Sequence, residues 1–457
     1  MCGIFGMYSF NINNTIKLED VLLNLKKIQH RGKDSHGVAY VKSNTSEIQL
    51  YKKKGLVDEN VNPDVDANFN YAIGHVRYGT SSTKNYSLKE AQPLVMMNNK
   101  IALVHNGNIP NINIHDSRYL LDLIINQLEV NNGNIFLSLI YLMRSIPASY
   151  SLLLLYGNKM YVMRDKFGIR PLYYCVTDKG CLVSSETIPF PKDYTHGEVN
   201  PGEILEVSQT GIIPLYQHES SQNSICAFEL LYFMSPDNIY DGKDVFSIRK
   251  QLGREMAKDD LKLVKSNTIV VGVPTSGIAY GRGYASELYL TYVQAITKNN
   301  EKQFGADRTF ILKNNEERNK ACREKFKYDE SKIKGKNIIV VDDTLVRGNV
   351  IKNIISRLKS CGAREIHVRI PSPPVIDICQ LGIDIKTREE LLMYNYDLNS
   401  ATEYLEVNSL RFLELENLVG FPSESYAHCF GKAMPDDITD FITNKIEVDK
   451  NNSISNN

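Results

Sequence analysis

Cys2 stands beside the initiator methionine in MCGIFG, and a cysteine there can carry its own base. Once Met1 is removed, which a small residue at position 2 permits, the thiol attacks. The adjacent α-amino group, with an ordinary pKa near ~7.7–8, can hold the proton without a separate histidine. Asn106-Gly107 in HNGNI follows an apolar strand. Each feature has a plainer explanation. A Met-Cys start can be a buried structural thiol, and Asn-Gly after a strand can be a hairpin turn.

A second constellation lies in Ile338-Ile-Val-Val-Asp-Asp-Thr-Leu-Val-Arg-Gly348, an apolar strand, an acidic pair and a loop opening a helix. Asp342 and Asp343 could face ribose hydroxyls and a magnesium ion, while loop N–H groups take a phosphate. A strand ending in Asp-Asp also occurs in many α/β proteins that bind nothing of the kind.

The elements that must position these residues change character near Ile225. Before it, short apolar strands alternate with polar turns: Ile4–Tyr8, Val38–Val41, Ile73–Val76, Ile101–Val104, Ser151–Tyr156, Met160–Arg164, Leu172–Cys175 and Leu182–Ser185. Helical spacing appears over Leu18–Gln29 and from Asp116, where Leu120, Leu121, Ile124, Ile125 and Leu128 share a face. This half predicts an α+β layered domain. After Ile225, Ile269–Val273 runs into Pro274-Thr275-Ser276-Gly277. Ile338–Val341 then feeds a helix (Val350, Ile354, Ile355, Leu358) stopped by Gly362, and Ile366–Ile370 follows. Repeated strand–loop–helix–strand units predict a parallel α/β sheet with ligands at the carboxyl ends of its strands.

Composition sets the outer limits. The 457 residues suggest several domains, and 42% hydrophobic with 23% charged residues describes a globular chain. Lysine plus arginine (53) equals aspartate plus glutamate (53), so no field favours non-specific nucleic-acid binding. No apolar run is long enough to span a bilayer, and the N-terminus lacks the basic region of a signal peptide. The eight cysteines lack short paired spacing, which predicts a reducing, cytoplasmic setting. The last residues, 449–457, are polar, and disorder is expected there.

The company of Cys2 narrows its role. QHRGKDSHG (Gln29–Gly37), GHVRYGT (Gly74–Thr80), EAQP (Glu90–Pro93), HNGNI (His105–Ile109), RDKFGIRPL (Arg164–Leu172), SSET (Ser184–Thr187) and PGE (Pro201–Glu203) follow in order. The set resembles the glutamine amidotransferase domain of the N-terminal-nucleophile hydrolases. The resemblance implies an α/β/β/α sandwich with Cys2 as nucleophile and Asn106 and Gly107 as oxyanion donors. It also implies that Arg77 and Arg31 bind glutamine, Arg77 at the α-carboxylate, and that Asp116 binds the α-amino group. Asp116 could instead cap the helix that follows.

The strand–Asp-Asp–loop string resembles the diphosphoribosyl-binding motif of type I phosphoribosyltransferases. With SPPV (Ser372–Val375), SICAFELLYFMSPDNIYDGKDVFSIRKQLG (Ser224–Gly253), KNNEKQFGADRTFI (Lys298–Ile311) and GID (Gly382–Asp384), it is most similar to the amidophosphoribosyltransferases. The implied organisation is a glutaminase domain over 2–222, a phosphoribosyltransferase domain over 223–435 and a tail over 436–457. The implied partners are glutamine, phosphoribosyl pyrophosphate and further copies of the chain. Asp342, Asp343, Thr344, Val346, Arg347, Gly348, Arg308 and Lys298 would bind phosphoribosyl pyrophosphate, with Mg2+ near Ser276, Asp342 and Asp343. Ammonia from Cys2 would then yield 5-phosphoribosylamine, the first step of purine synthesis.

Several positions depart from that pattern. Asn349 and Val350 stand where the family has two threonines, Thr275 replaces an acidic residue, and the loop before Arg308 is longer. These departures admit a second reading, a degenerate paralogue serving as a glutaminase or nucleotide-binding regulator. One family branch also holds a [4Fe-4S] cluster on four cysteines. Cys226, Cys379 and Cys429 stand at three of those positions, and Tyr426 takes the fourth.

Overall fold

The computed structural model describes residues 1–443 except 43–46, 58–67, 80–87, 89–90, 113–114, 300–324 and 386. Two antiparallel sheets face each other in the first half. In the first, Gly3–Ser9 lies between Gly180–Ser184 and Asn68–Arg77, with Ser35–Lys42 and Ile48–Lys54 beyond. In the second, Ile101–Asn108 pairs with Ser149–Tyr156, which pairs in turn with Lys159–Arg164.

Alternation along the strands decides what packs where. Ile4, Ile73, Val104, Leu153, Val162 and Val183 meet between the sheets. The opposite faces are also apolar, so each sheet is covered by helix. Leu18–Lys27 lays Leu18, Val21, Leu22 and Leu25 on Phe5, Val38 and Ala72. Asp116–Val130 and Ile135–Ser145 cover Leu103, Leu152 and Leu154 of the second sheet. The result is the expected α/β/β/α sandwich.

The second half is built on a five-stranded parallel sheet. Its order is Thr291–Tyr292, Thr268–Gly272, Asn337–Val341, Glu365–Ile370, Ser409–Phe412. Val270, Ile339 and Val341 point into one core, and Ile269, Ile338 and Val340 into the other, so both faces are buried. Helix Asn349–Ser360 is followed by Gly362 at φ +84°, the stop expected at that glycine.

Two plainer alternatives are ruled out and one helix is added. Asn106-Gly107 is not a turn but lies inside Ile101–Asn108, paired with Ser151 and Tyr150. His115, not Asp116, is the N-cap of its helix, and Asp116 takes the first helical position. Ile135–Ser145 forms a further helix. Asn134 caps it by accepting from the Leu137 N–H at 3.3 Å.

Leu153 is fully buried between the sheets. Leu153→Ala is expected to cost about 2–5 kcal/mol in urea denaturation. A loss below about 1 kcal/mol would contradict close packing there.

Candidate active sites

The register of the first sheet brings Cys2 to its motif partners. Gly3 pairs with Val76, so Cys2 stands at the strand end where Arg77 and Tyr78 leave the neighbouring strand. The Cys2 thiol faces the Tyr78 carbonyl at 3.9 Å. Gly32 of HRG makes this crossing feasible: a Cβ there would lie 2.6 Å from the Val76 carbonyl oxygen. Gly79 N–H donates to Asp34 at 2.7 Å, fixing the backbone just past Tyr78.

The wall opposite comes from the second sheet. Gly107 sits so close to the next strand that a Cβ would lie 2.0 Å from Ser149 O, so only glycine fits. The Asn106 side chain is buried, and its Nδ2 has no hydrogen-bond partner among the described residues. A buried, unsatisfied amide is costly to maintain and ready to donate to an oxyanion. Gln92 clamps the same strand, donating to His105 O at 3.1 Å and accepting from His105 N at 2.5 Å. Asp116 accepts from Ile109 N–H at 3.2 Å.

His75 and His105 are not poised bases. Burial pushes His75 and His105 down to about 3, so both rings are neutral at ordinary pH. The α-amino group of Met1, which still precedes Cys2, is pushed down to about 5, chiefly by burial, with Arg31 and Arg170 adding to it.

Arg31 is enclosed by protein partners. Its side chain is fully buried and every nitrogen is engaged by protein. Nε donates to Cys2 O at 3.0 Å, Nη1 to Glu186 at 2.7 Å and Nη2 to Glu229 at 2.9 Å. Two buried carboxylates engage this guanidinium, and its Nε holds the nucleophile's backbone. Arg77, on the rim, is partly exposed.

The second constellation assembles at the carboxyl ends of Asn337–Val341 and Thr268–Gly272. Asp342 and Asp343 are both buried, and Ser276 Oγ donates to Asp342 at 2.7 Å across the strand gap. Burial, then the neighbouring Asp343 charge, drives the Asp342 carboxyl well above its usual range. Such a pair calls for a proton or a cation. Thr344 donates to Asp343 at 2.7 Å. Gly348, at φ +80°, closes the loop as N-cap of Asn349–Ser360, leaving that helix's first N–H groups at the loop. Val346 is half-buried in the same loop. Arg347 bonds Glu390 at 2.6 Å and Asp384 O at 3.2 Å. Lys298 is exposed at the end of Ile296–Lys298, and Arg308 lies outside the described residues.

The two sites adjoin. Tyr78, whose carbonyl faces the Cys2 thiol, has its phenol raised by burial and by Asp384 and Asp34, while Arg347 opposes them. Asn108, one residue past Gly107, donates to Gln380 O at 2.6 Å, and Arg170 to Leu381 O.

Relatives of known activity match across the whole molecule. The phosphoribosyl transferase domain family matches residues 237–370. Mouse amidophosphoribosyltransferase is 33% identical over 92% of this chain and 88% of its own length. The chain belongs to the amidophosphoribosyltransferase family. The enzyme of that name from Methanocaldococcus jannaschii is 30% identical over 92% of this chain and 94% of its own. A B. subtilis glutamine phosphoribosylpyrophosphate amidotransferase, solved with ADP and GMP, superposes with TM-score 0.81 at 29% identity. That match covers 95% of this chain and 97% of the other. Amidophosphoribosyltransferases are glutamine-dependent glycosyltransferases, and similarity across both halves disfavours the degenerate-paralogue reading.

The [4Fe-4S] expectation can be tested on the residues themselves. Cys226 and Cys429 are buried and Cys379 half-buried, all within electrostatic reach of Tyr426. Tyr426 is bridged to Cys226, with its buried hydroxyl unpartnered among the described residues. Three thiols and a phenol do not make a four-thiolate site, so the residues do not fit the cluster.

Asn106→Ala is expected to lower kcat for glutamine hydrolysis by about 10²–10³ while the KM for glutamine changes little. An unchanged rate would remove Asn106 from the chemistry.

Proposed function

We propose that the family reaction is divided in this chain between Cys2 and the Asp342–Gly348 loop. The buried Asn106 amide, unpartnered among the described residues and adjoining Gly107 on its strand, carries that reading. Cys2 Sγ attacks the glutamine amide carbon, and Asn106 Nδ2 with the Gly107 N–H receives the oxyanion. Collapse expels ammonia, and water then releases glutamate from the thioester. After Met1 is removed, the Cys2 α-amino group is the proton carrier. An α-amino group is an ordinary carrier for this step, because its neutral form can accept a proton near neutral pH. Arg77 and Asp116 hold the glutamine α-carboxylate and α-amino group.

At the second site Asp342 and Asp343 face the ribose hydroxyls, and the Thr344–Gly348 backbone takes the 5′-phosphate. Ammonia adds at the anomeric carbon as pyrophosphate leaves. Ser276 and the buried acidic pair suit a Mg2+ ion held largely by the substrate's diphosphate, which would neutralise the leaving group's charge. Lys298 and Arg308 supply further positive charge. The hydroxyls missing at Asn349 and Val350 remove phosphate contacts but not the helix N–H groups. The contacts of Asn108 with Gln380 and of Arg170 with Leu381 support a sheltered passage for ammonia between the sites.

We read the chain as a cluster-free homo-oligomer of the cytoplasm. The seven described cysteines, all free thiols, support the reducing compartment. Among the described residues no helix is long and apolar enough to cross a membrane. Purified protein is expected to contain no stoichiometric iron or acid-labile sulfide, and finding both would overturn the cluster-free reading.

Cys2→Ala is expected to abolish glutamine-dependent synthesis of phosphoribosylamine and to leave synthesis from ammonium salts intact. Loss of both activities would sink the division into two sites.

A further inference from the structure

Glu229 lies in the single π-turn Glu229–Phe233, beyond the glutaminase domain, yet its side chain is buried inside that domain's wall. Its Oε1 accepts from Arg31 Nη2 at 2.9 Å and from Arg170 Nη1 at 3.3 Å, with all three side chains fully buried. Each arginine leads to a different half of the glutaminase site. Arg31 donates through Nε to the Cys2 carbonyl at 3.0 Å. Arg170 donates through Nε to Ser149 Oγ at 3.2 Å, and Ser149 is the residue whose carbonyl abuts Gly107. One carboxylate oxygen is thus shared by the arginine behind the nucleophile and the arginine behind the oxyanion strand.

The bridge is anchored on its far side as well. Arg170 also donates to Leu381 O, and the loop around Leu381 reaches Asp384, whose carbonyl accepts from Arg347 of the phosphate loop. Glu186, the other carboxylate on Arg31, accepts from Ser235 N–H at 3.0 Å just past the π-turn. The contacts crossing from the second domain therefore converge on the backbone of Cys2 and on the strand beside Gly107.

We propose that Glu229 is a positioning residue for the glutaminase reaction. The phosphoribosyl domain uses it to set the separation between the Cys2 thiol and the Asn106–Gly107 donors. Glu229 does not touch glutamine; it acts through Arg31 and Arg170. Removing its charge lets both guanidinium groups shift, which misaligns the attacker against the oxyanion donors and leaves Arg77 and Asp116 in place. The signature is a loss in kcat rather than in KM. The inference rests on the reading of Cys2 as nucleophile.

The test compares full-length Glu229→Gln with the parent in three assays: glutamine hydrolysis, glutamine-dependent synthesis and ammonium-dependent synthesis. The expected result is a fall in hydrolytic kcat of at least about tenfold, a glutamine KM within about threefold, and ammonium-dependent synthesis unchanged within about twofold. Glu229→Asp, which keeps the charge, is expected to recover part of the loss. An unchanged kcat, an effect confined to KM, or equal loss of both syntheses would overturn the proposal. If Glu229→Gln does not fold, Glu229→Asp, which keeps the charge but shortens its reach, decides: a smaller fall in kcat with KM and ammonium-dependent synthesis unchanged supports the proposal, and an unchanged kcat overturns it. Cys2→Ala run alongside separates two failures. If it abolishes hydrolysis while Glu229→Gln does not affect it, the nucleophile stands and the positioning role falls. If Cys2→Ala still hydrolyses glutamine, the underlying reading falls.

Discussion

Glu229 carries a negative charge into a region without solvent, and two arginines on either side compensate it. Such groups are expensive to desolvate, and their pairing with one another offsets that cost. Removing one partner of a buried pair costs about 3–5 kcal/mol. The domains are therefore not independent units joined by a linker. The chain between them runs alongside the glutaminase domain, with Ser224 N–H donating to Phe167 O at 2.7 Å and Cys226 N–H to Ile169 O at 3.1 Å. It then delivers Glu229 to the arginines that steady the catalytic backbone.

The two reaction centres follow different physical strategies. Behind Cys2 the protein pairs its buried charges with one another, Arg31 and Arg170 with Glu186 and Glu229, and burial keeps His75 and His105 neutral. At the second centre Asp342 and Asp343 are packed together at a strand end where neither can shed its charge into water. That pair is stable with a proton or a bound cation, which suits a site that meets its counter-charge only with substrate. Tyr78 lies on the boundary, its carbonyl facing one centre and its phenol sensing Arg347 and Asp384 of the other.

Much of this was legible in the order of residues, for identifiable reasons. The buried parallel strands announce themselves as apolar runs, and Asp342-Asp343 and Gly348 mark the end of one and the start of a helix. Strand bounds came out short; Asn68–Arg77 reads as Ile73–Val76 because its outer residues lack an apolar run. Ile135–Ser145 escaped because apolar residues surround it and blunt its period. Asn106-Gly107 obeys a local turn rule that pairing with Ser149–Tyr156 overrides. The partners of Arg31 could not be read from its motif. The carboxylate that engages it comes from Glu229, 198 residues along the chain, beyond the reach of any local pattern. Arg170, Glu186 and Glu229 were missed as site residues for the same reason; a buried charge shows its purpose only when its partner is in place.

The central claim is that ammonia made at Cys2 is used at the neighbouring site without mixing with solvent. Synthesis from amide-¹⁵N glutamine, run with a large excess of unlabelled ammonium over the ammonia released, tests this directly. Phosphoribosylamine carrying nearly the label of the glutamine amide is the result the account requires. Label diluted to the composition of the bulk ammonium would contradict it.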